Sequence, residues 1–301
     1  LVWGFSANSL GGAMKIKYRR ANVFIVFPLI LILSSFLNAA LFCDLDFHGF
    51  NEAGDVLAFT VQEQQPESYP TISFYTVDVK SNSFIDKPMR FTVDTYEKDK
   101  RFSHLFKSDD EDYPNKALLK VHQQLIEPEL RKYGILKNNF GDHAVSRQNA
   151  EIVPFPHQAV FVVGHYDFEQ SCYSIGSPFP FSGKEARQVS PELYVSPSTD
   201  KNFRTCPYEI RLSTFQSGVG DFEEPLVAFK LTVENLVTGK IKVLQEDKVL
   251  PKSRCFIYGY AIKDVYVVNK SVAVFIAMRK KIFEGEGVDY IVVTGFLPDD
   301  Y

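Results

Sequence analysis

From residue 56 to residue 294 the apolar residues come in short runs, many of them separated by turns rich in Gly, Asn, Ser or Pro. Punctuation this frequent leaves little room for long helices and restricts the chain to strands joined by turns. Val56-Leu57-Ala58-Phe59-Thr60-Val61 reads as a buried strand behind the turn Asn51-Glu52-Ala53-Gly54-Asp55. Residues 66–70 read as a loop, residues 71–79 as the next strand, and Lys80-Ser81-Asn82-Ser83 as a polar turn. Residues 159–164 form another run of the buried type. The clearest hairpin alternates Val227, Phe229, Leu231 and Val233, turns at Val237-Thr238-Gly239-Lys240, and returns through Ile241 and Val243. Gly239 is expected in a left-handed turn, where it carries no steric penalty. The C-terminal part repeats the pattern, with strands at 266–268, 272–277 and 290–294. Its expected turns are Asn269-Lys270 and Glu284-Gly285-Glu286-Gly287. The 27 Phe and 15 Tyr suit strands.

One region breaks the pattern. Leu118, Val121 and Leu125 keep helical spacing from Pro114 onward, Pro128 breaks or restarts the helix, and Gly134 fits a C-terminal stop. Residues 171–197, rich in Ser, Gly and Pro, read as a long loop. The strand units recur about every 40 residues, as propeller blades do. The expected fold is therefore mainly β, with antiparallel meanders in a sandwich-like or propeller-like body and one helical insertion near 114–136.

Residues 1–40 read separately. A stretch of 15 residues from Val23 to Leu37, apolar but for Ser34 and Ser35, follows Lys15, Lys17, Arg19 and Arg20 and leads into Asn38-Ala39-Ala40. That order is the order of a secretory signal peptide. A spanning helix wants about 20 apolar residues, so cleavage after Ala39 or Ala40 is expected, with no stable membrane span afterwards. Met14 is the expected start, with residues 1–13 as upstream extension. Phe42 before Cys43 does not suit a lipid-modified cysteine. Residues 41–301 are then a secreted mainly-β domain, periplasmic or extracellular.

Removing the leader takes four of the 33 basic residues and none of the 37 acidic ones, leaving a net charge of −8. An acidic chain whose tight basic run, Arg279-Lys280-Lys281, reads as a solvated strand end is not built to track nucleic-acid phosphates. The four cysteines, Cys43, Cys172, Cys206 and Cys255, allow three disulfide connectivities in an oxidising compartment. Cys172–Cys206 would close the Gly/Pro-rich segment and contribute about 3 kcal/mol in the chain-entropy account, which leaves Cys43–Cys255.

Stretches that carry chemistry are few. No zinc, Walker, dinucleotide or nucleophile-elbow motif occurs, so no metal and no cofactor is expected. Ser198-Thr199-Asp200-Lys201 matches S-x-x-K without its companion motifs. Strand alternation would set His165, Asp167 and Glu169 on one face, the residue types of an acid–base cluster. They are the catalytic candidates. His48 beside Asp44 and Asp46 has the same composition. Asp109-Asp110-Glu111-Asp112 lacks the spacing of a calcium loop. Tyr69, Tyr166, Tyr173 and Tyr194, near Pro-rich segments, are the residue type of a carbohydrate or peptide platform.

Four stretches together resemble a bacterial family described as predicted secreted protein, domain of unknown function 2259. They are Phe50-Asn51-Glu52-Ala53-Gly54-Asp55-Val56-Leu57-Ala58-Phe59, Pro128-Glu129-Leu130-Arg131-Lys132-Tyr133-Gly134-Ile135, Leu236-Val237-Thr238-Gly239-Lys240, and Phe283-Glu284-Gly285 with Ile291-Val292-Val293-Thr294. The resemblance spans most of residues 44–296. In the first stretch Asn51 stands where the family has Ser and Ala53 where it has Asp. The resemblance implies export and an unassigned function, and no catalytic residue is carried over. The same stretch is similar to a blade hairpin of TolB-type propellers. The expected role is a non-catalytic binding or interaction module with an envelope or extracellular ligand or protein as partner. The alternative is a secreted hydrolase using carboxylate and histidine side chains.

Overall fold

The computed structural model describes residues 42–64, 70–92, 104, 113–135, 139–147, 157–166, 172–179, 203–219, 225–250, 254, 257–282 and 285–298. The early strands are β1 (Phe42–Phe50), β2 (Val56–Gln64), β3 (Thr71–Asp78), β4 (Ser83–Phe84) and β5 (Met89–Thr92). Helix α1 (Tyr113–Val121) runs through a π-helical turn (His122–Ile126) into α2 (Glu127–Lys132). Then follow β6 (Asp142–Ser146), β7 (Gln158–Tyr166), β8 (Cys172–Phe179), β9 (Phe203–Val219), β10 (Pro225–Asn235) and β11 (Ile241–Glu246). The last strands are β12 (Ile257–Val268), β13 (Ser271–Ile282) and β14 (Gly285–Phe296).

The strands form three antiparallel sheets. The first has the order β1-β2-β3-β4, with β5 also on β3; the second is β11-β10-β9-β7-β8; the third is β14-β13-β12-β6. Residues 271–278 of β13, Ser-Val-Ala-Val-Phe-Ile-Ala-Met, have no polar alternation, and all are buried. Their two faces go to two different cores. Val272, Val274, Ile276 and Met278 pack with Phe161, Tyr208, Ile210, Phe229 and Leu231 of the second sheet. Ala273 and Phe275 pack with Phe47, Leu57, Phe59 and Val77 of the first. The third sheet is therefore the middle layer, apolar on both faces because both are covered. A further core joins Ala58, Ile72 and Phe74, on the outer face of the first sheet, to Val121, Ile126 and Leu130 of the helical segment. The layers run helix, first sheet, third sheet, second sheet. The mainly-β, sandwich-like expectation holds; the strand units stack as layers and do not radiate as blades.

Local expectations fared unevenly. Gly239 has φ +68° in the β10–β11 turn, as expected. The Asn235 side chain accepts the Val237 and Thr238 N–H groups at 2.9 and 3.0 Å, and Gly239 donates to the Asn235 carbonyl at 2.8 Å. The helix survives Pro128. Glu127 donates to the His122 carbonyl, the wide i→i+5 bond of a π turn, and the proline falls in the first turn of α2. Two readings need correction. Residues 172–179 of the expected long loop form β8, and Gly285, Glu286 and Gly287 of the expected turn already belong to β14, pairing with Ile282, Lys281 and Lys280. Strand β9 runs through Pro207, and Tyr208, Ile210 and Leu212 alternate onto the second sheet's inner face. The intervening Glu209, fully buried, accepts two 2.8 Å bonds from Arg211 and one from Gln158.

Candidate functional site

Among the described residues the middle sheet ends at β14, which pairs with β13 alone. The register is unbroken from Ser271↔Phe296 to Ile282↔Gly285, and the Leu297 N–H donates to the Lys270 carbonyl at 2.8 Å. Antiparallel pairing alternates, so the backbone of Ile291, Val293 and Gly295 points to β13. The backbone of Tyr290, Val292 and Thr294 points outward. Two of the outward N–H groups are taken: Thr294 donates to Asn82 Oδ1 at 2.8 Å, and Tyr290 to Asp289 Oδ1 at 2.8 Å. Among the described residues nothing pairs with the N–H and C=O of Val292.

A cleft of about 520 Å³ lies around this edge. Tyr75, Ser83 and Phe84 line it from the first sheet, Gln245 and Phe229 from the second, and Tyr290 to Val293 from β14 itself. Side chains of successive β14 residues face opposite cores: Tyr290 and Val292 the first sheet, Ile291 and Val293 the second. A cleft touching both sets straddles the strand edge. Asn82, in the left-handed region at φ 50°, closes one end. It donates to Gln245 Oε1 at 2.9 Å and accepts from Thr294 Oγ1 at 3.2 Å, so one side chain ties all three sheets together.

The charges here are paired. Arg254 and Asp247, both buried, form a bidentate pair at 2.6 and 2.7 Å, and the guanidinium lies 5.0 Å from the centre of the Phe229 ring. Burial pushes the Asp247 carboxyl up, but bonds from Arg254, the Phe229 N–H and Gln245 outweigh it and hold it below the usual range. Lys280 Nζ is 3.4 Å from Asp289. Burial, helped by the nearby Cys43 and Asp44, pushes the Tyr290 phenol up to about 12, and burial with Asp289 does the same to the Cys43 thiol. At neutral pH the cleft offers neutral hydroxyls, apolar walls and free backbone groups.

Of the sequence-derived candidates, His165 sits near the end of β7, opposite Cys172 on one side and Arg204 on the other. Its side chain, with Asp167 and Glu169, lies outside the described residues, as do Tyr69, Tyr194, Asp109 to Asp112, Ser198, Lys201 and all of residues 1–40, the expected signal peptide included. The Cys172–Cys206 pairing does not survive the topology. Strands β8 and β9 flank β7 on opposite sides, with Cys172 opposite His165 and Cys206 opposite Val163. Two strand spacings, about 9–10 Å, exceed the roughly 7 Å that a disulfide tolerates. Cys43 is a free, buried thiol, so the Cys43–Cys255 pair is not formed either; Cys255 is outside the described residues.

His48 lies beneath the helix. Its Nε2 is 3.2 Å from Thr60 Oγ1, its Nδ1 3.9 Å from Asp46, and its ring 5.7 Å from that of His122. Asp44 points to solvent. Among the described residues no group of three His, Cys, Asp or Glu side chains is placed to hold a metal ion. The sequence concealed a different dyad. His143 Nε2 is 3.0 Å from Asp264, whose other oxygen takes Lys263 Nζ at 3.0 Å, and the His143 ring stacks on Tyr266 at 4.2 Å. Burial raises the Asp264 carboxyl, and the bonds from His143 and Lys263 more than offset it. The partners lie 121 positions apart, so only strand pairing β6–β12 could reveal them.

No helix among the described residues is long and apolar enough to cross a membrane. No curated protein and no solved structure matches the chain. A family model does, over residues 58–295, which takes in β3 through β13 and nearly all of β2 and β14. The chain belongs to the family described as predicted secreted protein (DUF2259).

Proposed function

We propose that this secreted protein is a non-catalytic binding module and that its ligand sits in the cleft around β14. The cleft itself carries the reading. Its 520 Å³ lies within the range of ligand sites, about 300–1,000 Å³, and its polar groups are mostly committed to one another, as structural rather than reactive groups are. Membership in a family of predicted secreted proteins supports a partner in the envelope or outside the cell. The test is a fragment screen by NMR on protein with labelled Met, Ile and Val methyls. Shifts are expected to gather at Met278, Ile291, Val292 and Val293. Shifts gathered elsewhere, or none, would end the proposal.

The hydrolase alternative has a better carrier in His143 and Asp264 than in His165, Asp167 and Glu169. A buried carboxylate orienting a half-exposed imidazole is the supporting half of a nucleophilic triad. A panel of ester and amide substrates decides it: turnover by the native chain that disappears in His143→Ala would favour the enzyme.

A further inference from the structure

We infer that the ligand of the cleft is an extended polypeptide segment that adds to the free edge of β14 as a fifth strand of the middle sheet. The inference rests on the reading of the cleft as the binding site and names what fills it.

Three observations point to a peptide. The first is the backbone of β14. In an antiparallel ladder one residue in two turns both its N–H and its C=O away from the neighbour it already has. Here these residues are Tyr290, Val292 and Thr294. Val292 presents both groups to the cleft, flanked by the outward carbonyls of Tyr290 and Thr294. A donor and acceptors at strand spacing are matched most fully by another extended backbone. The second is the chemistry of the edge. Strand edges are commonly blunted by charge, Pro or a bulge. Residues 290–294, Tyr-Ile-Val-Val-Thr, carry none of these, and their register with β13 is continuous. The third is the space on both sides. An added strand sends alternate side chains to opposite faces, and the cleft opens toward both flanking sheets: Tyr75 and Phe84 on one side, Phe229 and Gln245 on the other.

The same geometry selects among occupants. The first and second sheets wall the edge, so a folded partner cannot bring a whole sheet up to it, which argues against a second copy of this chain. The neutral phenols and paired charges disfavour a strongly ionic ligand. Asn82 holds the Thr294 N–H and marks one end; Asp289 holds the Tyr290 N–H and marks the other. From Tyr290 to Thr294 is roughly 13 Å at the rise of a strand, so the segment that pairs is four or five residues long.

The test uses a randomised pool of capped hexapeptides at millimolar total concentration, since backbone pairing tolerates sequence. Two readouts are followed on labelled protein: amide exchange at Val292 and methyl shifts at Ile291, Val292 and Val293. The pool is expected to slow exchange of the Val292 amide at least tenfold and to shift the methyls. A second pool, N-methylated at alternate residues, is expected to bind at least tenfold more weakly. Val292→Pro removes the outward N–H without touching the β13 ladder, because that N–H is not part of it, and is expected to lose the peptide pool while keeping small apolar fragments. Equal binding of the two pools, or methyl shifts without protection of Val292, would overturn strand addition and leave the cleft as a site for other ligands. Peptide-induced dimerisation seen by light scattering would transfer the edge to a second copy and also overturn it. Failure of peptides and fragments alike would remove the cleft reading itself.

Discussion

At Asp247 and Arg254 burial makes two charges depend on each other. The side chains are 1 % and 8 % exposed and share two short bonds, with the Phe229 N–H on the same carboxylate. Removing one partner strands the other in a poorly solvated place, which costs about 3–5 kcal/mol. Asp247→Ala is expected to lose that much in urea unfolding, and the double change Asp247→Leu with Arg254→Met to lose clearly less. His48 belongs to the same scale. Burial lowers its pKa below the ordinary 6.5; Asp46 opposes this weakly, while His122 reinforces it. The unfolded chain then binds a proton that the folded chain refuses, so stability is full above about pH 6.5 and falls as pH drops below it toward the lowered folded value. His122, itself 3.9 Å from Glu127, faces it from the helix, and Asp46 and Thr60 face it from the sheet. Urea midpoints measured from pH 7.5 to 5 are expected to fall for the native chain, with a visibly flatter slope for His48→Gln.

Turns show how neighbours decide the value of one conformation. Gly239 and Gly49 both lie at positive φ, +68° and +110°. A methyl at Gly239 would meet nothing within 4 Å, whereas at Gly49 it would lie 2.6 Å from the Asn139 carbonyl oxygen. Gly239→Ala should therefore cost only the left-handed penalty, about 1–2 kcal/mol. Gly49→Ala should cost more, because the Phe50 N–H to Asn139 bond of 2.8 Å must shift as well. Thermal unfolding of the two variants checks the order. The β10–β11 hairpin was legible for local reasons: alternation, an Asn to bond the turn and a Gly to make it. The helical insertion was legible in place but not in form. Spacing located it, while the π turn that carries it past Pro128 depends on Ile126 and Leu130 seating on Ile72 and Phe74.

For the whole molecule the burial of the middle sheet on both faces is the organising fact. Its strand β13 is hydrogen-bonded on both edges and covered on both faces. Local opening there exposes two cores at once, so β13 amides are expected to exchange only through global unfolding, and those of the edge strand β11, with Ile241 and Val243 exposed, through local opening. Phe275→Ala should remove about 3–5 kcal/mol and bring the β13 exchange rates up with it. Hydrogen exchange measured on both proteins tests this; β13 amides that exchange as fast as those of β11 would contradict the layer argument.

The sequence alone determined what depends on near neighbours. Alternating and unbroken apolar runs specify strands, turn residues specify hairpins, and helical spacing specifies the one insertion; its scattered motifs also led to the correct family. Which runs form the middle layer was visible in the unbroken apolarity of 271–278 but could not be assigned, since periodicity does not say what covers a face. The disulfide reading failed for the same reason: loop length says nothing about which strands flank β7. The cleft was invisible because it belongs to no segment. It arises where β14 has no outer neighbour among the described residues and where Asn82, Gln245 and Thr294, far apart in the chain, close one end. Only tertiary structure decides such a site, because which strand lies at the edge of a sheet is set by pairing between segments far apart in the chain.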